Sequence, residues 1–536
     1  MRLIYVDIDT LRPDHLGCYG YWRPTSPVID SLAARGVRFT GVHASDTPCL
    51  PSRTALSTGQ FGIRSGAVNH GGPATDPVPE GARRGFRTQA ATHGWVSPLR
   101  DLGMWTSSIS TFAERHSAYH FDAGFNECLN LGTRGLETAD QVVDAACDWL
   151  VRRGCDDDWF LHVHLWDPHT PYRTPASFGD PFEGQALPAW LTEDVRAAHW
   201  LLPGPHSAQE LAGFGPRDVW DRWPRQPLQA ASMEDVRRVY DGYDTGVRYA
   251  DDQVGRLLAT LDDLSLTDDT AVLVSSDHGE NLGELGIYCD HQTADEVTTR
   301  LPAVLAWPGG SLIPGSVETG LHYQFDLWAT VVELAGGEVP ARWDGRSFAD
   351  RLRTQRQSSP SDGSPGPGPA ASPAAPETPS GPAGVRHPTS GRNHLVLSHG
   401  AWTAQRSVRF DRWLCIRTYH DAFHGFPDLL LFDVEADPYE QHDRAADRPE
   451  VVEHALAVLA DWSSDALARS HHGTDPLWSV LTGGGPWHSR VDVPWYLDRL
   501  RATDRAGWAD RFAARGWPGP DGSRYASGDG PPVLEA

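Results

Sequence analysis

The chain has 536 residues, 46 basic against 71 acidic side chains, a net charge of −25 and 40% hydrophobic residues. That length supports one large domain and a smaller one with a sizeable buried core, while the acidic balance excludes a general nucleic-acid binder, which needs a basic surface to displace phosphate counterions. All 46 basic residues are arginine, so chemistry that depends on a lysine amine is excluded, whereas a small anionic substrate is not.

Met1 is followed by Leu3-Ile4-Tyr5-Val6 and two aspartates, not by a basic stretch and a long apolar run. No leader is expected, the mature chain is expected to begin at Met1, and a cytoplasmic location follows as the default. No segment approaches the roughly 18 apolar residues of a membrane span, so a soluble protein without a membrane partner is expected.

Arg2 to Asp9 reads as a short strand ending in acid, Ser26 to Arg35 as a helix after a Pro-Thr-Ser-Pro entry, and Trp159 to Trp166 as an alternating strand. Tyr243, Val247, Ala250, Val254, Leu257 and Leu261 share one face of a helix, and a strand, Thr270 to Ser276, follows. Strands alternating with helices predict an α/β sandwich, with helices on both faces of a largely parallel sheet and function at the carboxyl ends of its strands. Between Ser358 and Val385, Pro, Gly, Ser and Ala make up 24 of 28 residues, which predicts a disordered linker or insertion. Leu395–Leu397, Ser407–Phe410, Trp413–Tyr419 and Leu429–Val434 read as a small antiparallel sheet, followed by a helix carrying Val451, Ala455, Val458 and Trp462. The expected units are 1–353, a linker over 354–392, a subdomain over 393–470 and an extension over 471–536. The extension carries one amphipathic stretch near Tyr496 to Phe512 and no legible chemistry, and the chain has no internal repeat. The seven cysteines, 18, 49, 128, 147, 155, 289 and 415, are odd in number and lack a CxxC pair, which argues against a disulfide framework and a zinc site.

The densest chemical signal is Asp46 to Gln60, where Cys49 is followed by Pro51 and Arg53 at the start of a predicted helix. A helix N-terminus and a guanidinium both favour an anion there. The alternative is a small core cysteine, since free cysteine is among the most buried residue types.

Cys49-x-Pro51-Ser52-Arg53, closed by Thr58-Gly59, resembles the sulfatase signature, in which a separate maturation enzyme oxidises the cysteine to formylglycine. The stretch from Asp9 to Gly20, the stretch from Thr25 to Phe39, Asp167-Pro-His169-Thr-Pro-Tyr172, Ser276-Asp277-His278-Gly-Glu280 and the block from Leu431 to Glu440 resemble further sulfatase blocks in the family's order. The resemblance implies an alkaline-phosphatase-like α/β sandwich with a smaller C-terminal α+β subdomain, and a metal-dependent hydrolase of sulfate esters, of a carbohydrate or an aryl compound. Its partners are then a small anionic substrate and a formylglycine-generating enzyme.

Asp9 and the pair Asp277-His278 close two predicted strands, and neighbouring strand ends can converge on a cation that wants mainly oxygen ligands. The resemblance implies one divalent ion held by Asp9, Asp277, His278 and residue 49, with calcium expected and magnesium or manganese as alternatives. Thr10 stands where many members have a second acid, and Asp7, on the same strand face as Asp9, is either its substitute or a buried hydrogen-bonded acid.

By the same resemblance, residue 49 is the nucleophile, Arg53 stabilises the charge on the non-bridging oxygens, and His169 protonates the leaving oxygen, a task suited to a pKa near neutrality. His162 and His164 read as packing or supporting residues. Two family lysines are missing: His291 stands near one position and could hold the substrate anion if protonated, and Thr111 stands at the other, with Ala113 replacing a companion histidine and His116 close by. A threonine there is also what phosphonate monoester and phosphodiester hydrolases of the superfamily show, which makes them the alternative. Of the remaining residues, His70 reads as a surface-loop histidine or as one lining the pocket after the signature helix, Trp166 as core or as a sugar platform, and Asp290 as a solvated loop acid or as one that orients His291.

Overall fold

The computed structural model describes residues 1–78, 92–214, 223, 225–310, 312–354 and 391–515. The expected linker, 354–392, lies outside the described residues except at its ends.

The core of the molecule is a large sheet. In chain order its main strands are β1 (Arg2–Ile8), β2 (Val37–His43), β3 (Trp105–Ile109), β4 (Glu127–Leu129), β5 (Trp159–Leu165), β6 (Thr270–Ser275), β7 (Arg300–Ala306) and β8 (Ser316–Glu318). They lie in the order β8-β2-β7-β6-β1-β5-β3-β4. Among these, β7 alone runs antiparallel to its neighbours, so the sheet is largely parallel, as expected. β1 sits between β5 and β6 and is buried on both faces, which is why it reads as a nearly continuous apolar run interrupted only by Asp7.

Helices cover both faces. Ile4, Val6 and Ile8 pack with α1 (Pro27–Arg35), α2 (Ala139–Arg153) and α3 (Met233–Asp263), whereas Leu3 and Tyr5 face α4 (Gln324–Leu334). The first N–H groups of α1 find no capping side chain of their own; Val28 and Ile29 donate instead to the Asp251 carboxylate of α3, at 3.0 and 2.8 Å. α3 starts ten residues before Tyr243, the first residue of the expected stripe, because Ser232 and Asp235 form a reciprocal capping box there.

The second sheet comprises β9 (His394–His399), β10 (Ala404–Phe410), β11 (Trp413–His420) and β12 (Leu429–Asp433), all antiparallel, backed by α5 (Pro449–Ala468). Its fifth member comes from far upstream: Asp46–Thr47 pairs in parallel with β9, so the residues just before Cys49 are part of this sheet. The amphipathic stretch near Tyr496 is two helices, α6 (Val493–Ala502) and α7 (Ala506–Arg515), broken where Asp504 adopts a φ of +58°. No helix among the described residues is long and apolar enough to cross a membrane.

Candidate active site

Cys49 is the first residue of a buried helix, Cys49–Thr58. Pro51 falls in the first turn, where a missing N–H costs no hydrogen bond, and Ser52 Oγ donates to the Asp277 carbonyl at 2.6 Å, which fastens the helix to the end of β6. Gly279, just beyond, is demanded by packing, since a Cβ there would lie 1.9 Å from the Val297 carbonyl oxygen. The site thus forms at the carboxyl ends of β1, β5 and β6, where a doubly covered sheet leaves its crevice.

Four donor groups converge there: Asp9, Cys49, Asp277 and His278 present ligand atoms within 4.8 Å of one another. Nδ1 of His278 lies 2.9 Å from the Gly279 carbonyl and must donate to it, so Nε2 keeps its lone pair and points at Cys49 Sγ, 3.0 Å away. Arg53, one turn along the helix from Cys49, donates from Nη1 to Asp9 at 2.9 Å and Asp277 at 2.6 Å, and from Nε to Asp7 at 3.1 Å. Oδ1 of Asp7 and Oδ1 of Asp9 remain buried without a hydrogen-bond partner. Two carboxylates, an imidazole lone pair and unpartnered carboxylate oxygen fit a divalent cation with mainly oxygen ligands. Asp7 lies outside the converging set and pairs with Arg53 and His162.

Electrostatics here run against the simple sequence reading of a helix N-terminus favouring an anion at Cys49. Burial and the charges of Asp9 and Asp277 push the thiol well above its ordinary value, outweighing Arg53. Burial, with Asp9 opposing it in charge, also lifts Asp277 to about 6 despite Arg53. Asp9 itself is held well below the usual carboxylate range, because Arg53 and the surrounding histidines outweigh its burial.

His169 and His291 also approach Cys49, their donor atoms within 4.8 Å of its sulfur and of each other, with the His291 ring 4.2 Å from that of His278. Burial lowers His169 to about 3, with Arg115 and Arg173 adding to the effect, and the ring bonds through Nδ1 to the Thr170 carbonyl. The near-neutral pKa expected for a proton donor is therefore absent from the free protein. Burial and the neighbouring His278 also lower His291 well below its usual value, which disfavours the charged form that anion binding requires. Thr111 is enclosed: its hydroxyl donates to Glu137 and accepts from Trp166 Nε1 at 3.1 Å. Trp166 is fully buried and is no sugar platform. His162 and His164 support the acids, at 3.4 Å from Asp7 and Asp9 respectively.

Several contributors depart from the leading reading of the sequence. His70 is no surface-loop residue: its Nε2 accepts from the Leu50 N–H at 3.2 Å and its Nδ1 lies 2.9 Å from Nε2 of His488. The extension after His471 therefore reaches the site, with Trp487 packed on Gly71. Asp290 is buried rather than solvated, and pairs with His206 at 2.9 Å. Arg115 and Arg173 also face the site, close enough for their charges to act on His169 and Asp9. The absence of lysine was the available signal for Arg115, which lies four residues after Thr111, whereas Arg173, just after the Asp167–Tyr172 block, carried none.

Residues 2–337 match the model of the protein family described as Sulfatase. A choline-sulfatase of Rhizobium meliloti (strain 1021) is 26% identical over 370 residues, covering 62% of this chain and 68% of its own length. Among solved structures, a protein in complex with its substrate D-glucosamine-2-N,6-O-disulfate shares a TM-score of 0.63 at 17% identity, over 87% of this chain and 98% of that one. The phosphonate monoester hydrolase of Agrobacterium radiobacter gives 0.60 at 17% identity, over 90% and 99%. These two likenesses show the fold.

Proposed function

Because the chain belongs to the sulfatase family, we propose that its hydrolysis of a sulfate ester runs at residue 49 after a formylglycine-generating enzyme has oxidised Cys49. The observation that carries this reading is the environment of Cys49. A thiol buried between Asp9 and Asp277 is pushed away from the thiolate, the opposite of the electropositive setting that activates a cysteine nucleophile. As hydrated formylglycine, residue 49 instead supplies one uncharged hydroxyl to attack sulfur and a second whose deprotonation expels sulfate.

Asp9, Asp277 and His278, with residue 49, would hold the divalent cation, calcium being the ion the resemblance implies and magnesium or manganese the alternatives. Bound there, it supplies positive charge against the non-bridging oxygens. Arg53 offsets part of the charge of Asp7, Asp9 and Asp277 and holds them in place. Nε2 of His278, aimed at residue 49, carries the lone pair that it would give to the cation. His169 transfers a proton to the leaving oxygen, and because the free protein keeps it neutral, the arriving anion must raise its basicity. His291 orients the ester through a neutral hydrogen bond.

The test is the mass of the tryptic peptide Phe39–Arg53 from protein co-expressed with a formylglycine-generating enzyme. Loss of sulfur and two hydrogens with gain of one oxygen is expected; an unmodified thiol despite competent maturation would refute the reading. The threonine at position 111 favours a second reading, a phosphonate monoester or phosphodiester hydrolase with the same residue 49 and metal site. Comparing kcat/KM for a sulfate monoester and a phosphodiester on one preparation separates the two.

A further inference from the structure

The deeply buried guanidiniums of this protein are mostly paired. Arg12 meets Glu284 at 2.9 Å, Arg23 meets Asp244 at 2.8 Å, Arg53 meets Asp277 at 2.6 Å and Arg505 meets Glu210 at 2.7 Å. Arg173, buried like these, and Arg115, half-buried against Trp166, differ. Among the described residues their hydrogen bonds run to backbone carbonyls, Arg115 to Arg134 and Arg173 to Gly135, and no carboxylate forms an ion pair with either. Nε of Arg115 and Nη2 of Arg173 are buried without any partner.

Nearby acids are already committed. Glu137 accepts from Thr111, Thr133, Trp166 and the Gly135 N–H. Asp167 accepts from the Ala139 N–H and from Thr174. Gly135 makes the arrangement possible, since a Cβ at that position would lie 2.6 Å from Cδ of Arg115. Burial, and in Arg173 the repulsion of Arg115 as well, lower both guanidiniums, Arg173 to about 10. Buried charge left unpaired is unfavourable, and guanidinium is the group best shaped to take a planar or tetrahedral oxyanion.

The pair has a defined place. The Arg115 guanidinium lies 5.0 Å from the centre of the Trp166 ring, and that ring lies 5.9 Å from His169. The two arginines therefore stand beside His169, the residue assigned to the departing alcohol, and their charges act on it.

We propose that Arg115 and Arg173 form an anion subsite for the leaving group, so that the preferred substrate is a sulfate ester whose alcohol carries a second negative charge, a carboxylate or another sulfate. This rests on the sulfatase reading and on His169 marking the leaving-group side. A cationic ester such as choline O-sulfate is disfavoured by the same two charges.

The test compares phenyl sulfate with 3-carboxyphenyl sulfate, benzene-1,3-disulfate and choline O-sulfate. The wild-type protein should favour a dianionic ester over phenyl sulfate by about tenfold or more in kcat/KM, mainly through KM, as expected for charge-assisted hydrogen bonds. Whichever dianion is preferred identifies the second group. In Arg115→Met and Arg173→Met that ratio should fall towards about one, with Arg115→Lys in between; an unchanged ratio in both methionine variants, or a wild-type ratio near one, overturns the proposal. Calorimetric titration with 3-hydroxybenzoate against phenol tests the subsite without turnover. If no sulfate ester is hydrolysed, the sulfatase reading fails, while a Kd for 3-hydroxybenzoate that rises about tenfold in the double variant still supports the anion subsite. An unchanged Kd, with a lowered thermal midpoint, would assign the arginines a structural role and overturn it.

Discussion

His278 offers Cys49 an imidazole nitrogen at 3.0 Å while its other nitrogen is locked on the Gly279 carbonyl. The tautomer is thereby chosen by the backbone, and the free lone pair is aimed before any ligand arrives. Gly279 is what lets that backbone approach the Val297 carbonyl.

If that lone pair is a metal ligand, His278→Ala should weaken binding of a divalent cation by about 10–100-fold. Calorimetric titration of calcium, magnesium and manganese into the metal-stripped protein checks this. Equal affinities in the variant and the wild type would remove His278 from the ligand set.

Arg53 holds three carboxylates together, and Arg53→Met leaves them facing one another in a buried space. A loss of about 3–5 kcal/mol is expected at pH 7.5. The sign of its pH dependence follows from Arg53, whose charge lowers Asp7, Asp9 and Asp277 in the wild type, so its loss raises all three in the folded variant. The folded variant then takes up protons that the folded wild type does not, and its deficit should shrink as pH falls from 7.5 to 5. Denaturant unfolding at pH 5 and 7.5 reads it.

His399 is buried and lowered to about 3, with Nδ1 donating to Thr47 and Nε2 accepting from the Trp402 N–H. Unfolded, a histidine takes its proton near 6.5, so stability from this residue is present above that pH and is lost as pH falls towards about 3. His399→Gln should flatten the decline between pH 6.5 and 4.5 by at most about 1.4 kcal/mol per pH unit. Parallel curves for the two proteins would show that His399 is not neutral in the fold.

Glu210 clamps the C-terminal helices, accepting from Arg505 through both carboxylate oxygens at 2.7 Å and from Arg499 at 2.7 Å. Glu210→Gln leaves a fully buried guanidinium poorly paired, so α6 and α7 should open more often. Faster tryptic cleavage between Arg499 and Arg515 is expected, together with reduced turnover, because His488 lies on the same extension. A cleavage rate equal to that of the wild type would refute the clamp.

Three strands of the large sheet and the acids that close two of them were legible because their information is local. Alternation and apolar runs mark β1, β5 and β6, and Asp9 and Asp277 follow them directly in the chain. The start of α3 was missed although its capping box is equally local, since the stripe was read from Tyr243 onward. Trp166 carried no mark of its own, because core and platform tryptophans look alike until burial separates them.

By itself, the sequence determined the α/β alternation, the signature helix at Cys49 and the absence of any lysine from the chemistry. Only the tertiary structure decided that Arg53 serves three acids, that Asp46–Thr47 completes a sheet built 350 residues later, and that His488 reaches His70 across 418 positions. It also decided the charge states, raising Cys49 and lowering His169 and His291. The reason is physical: secondary structure is set by neighbours in the chain, whereas pairing, burial and pKa depend on which distant groups share one desolvated space.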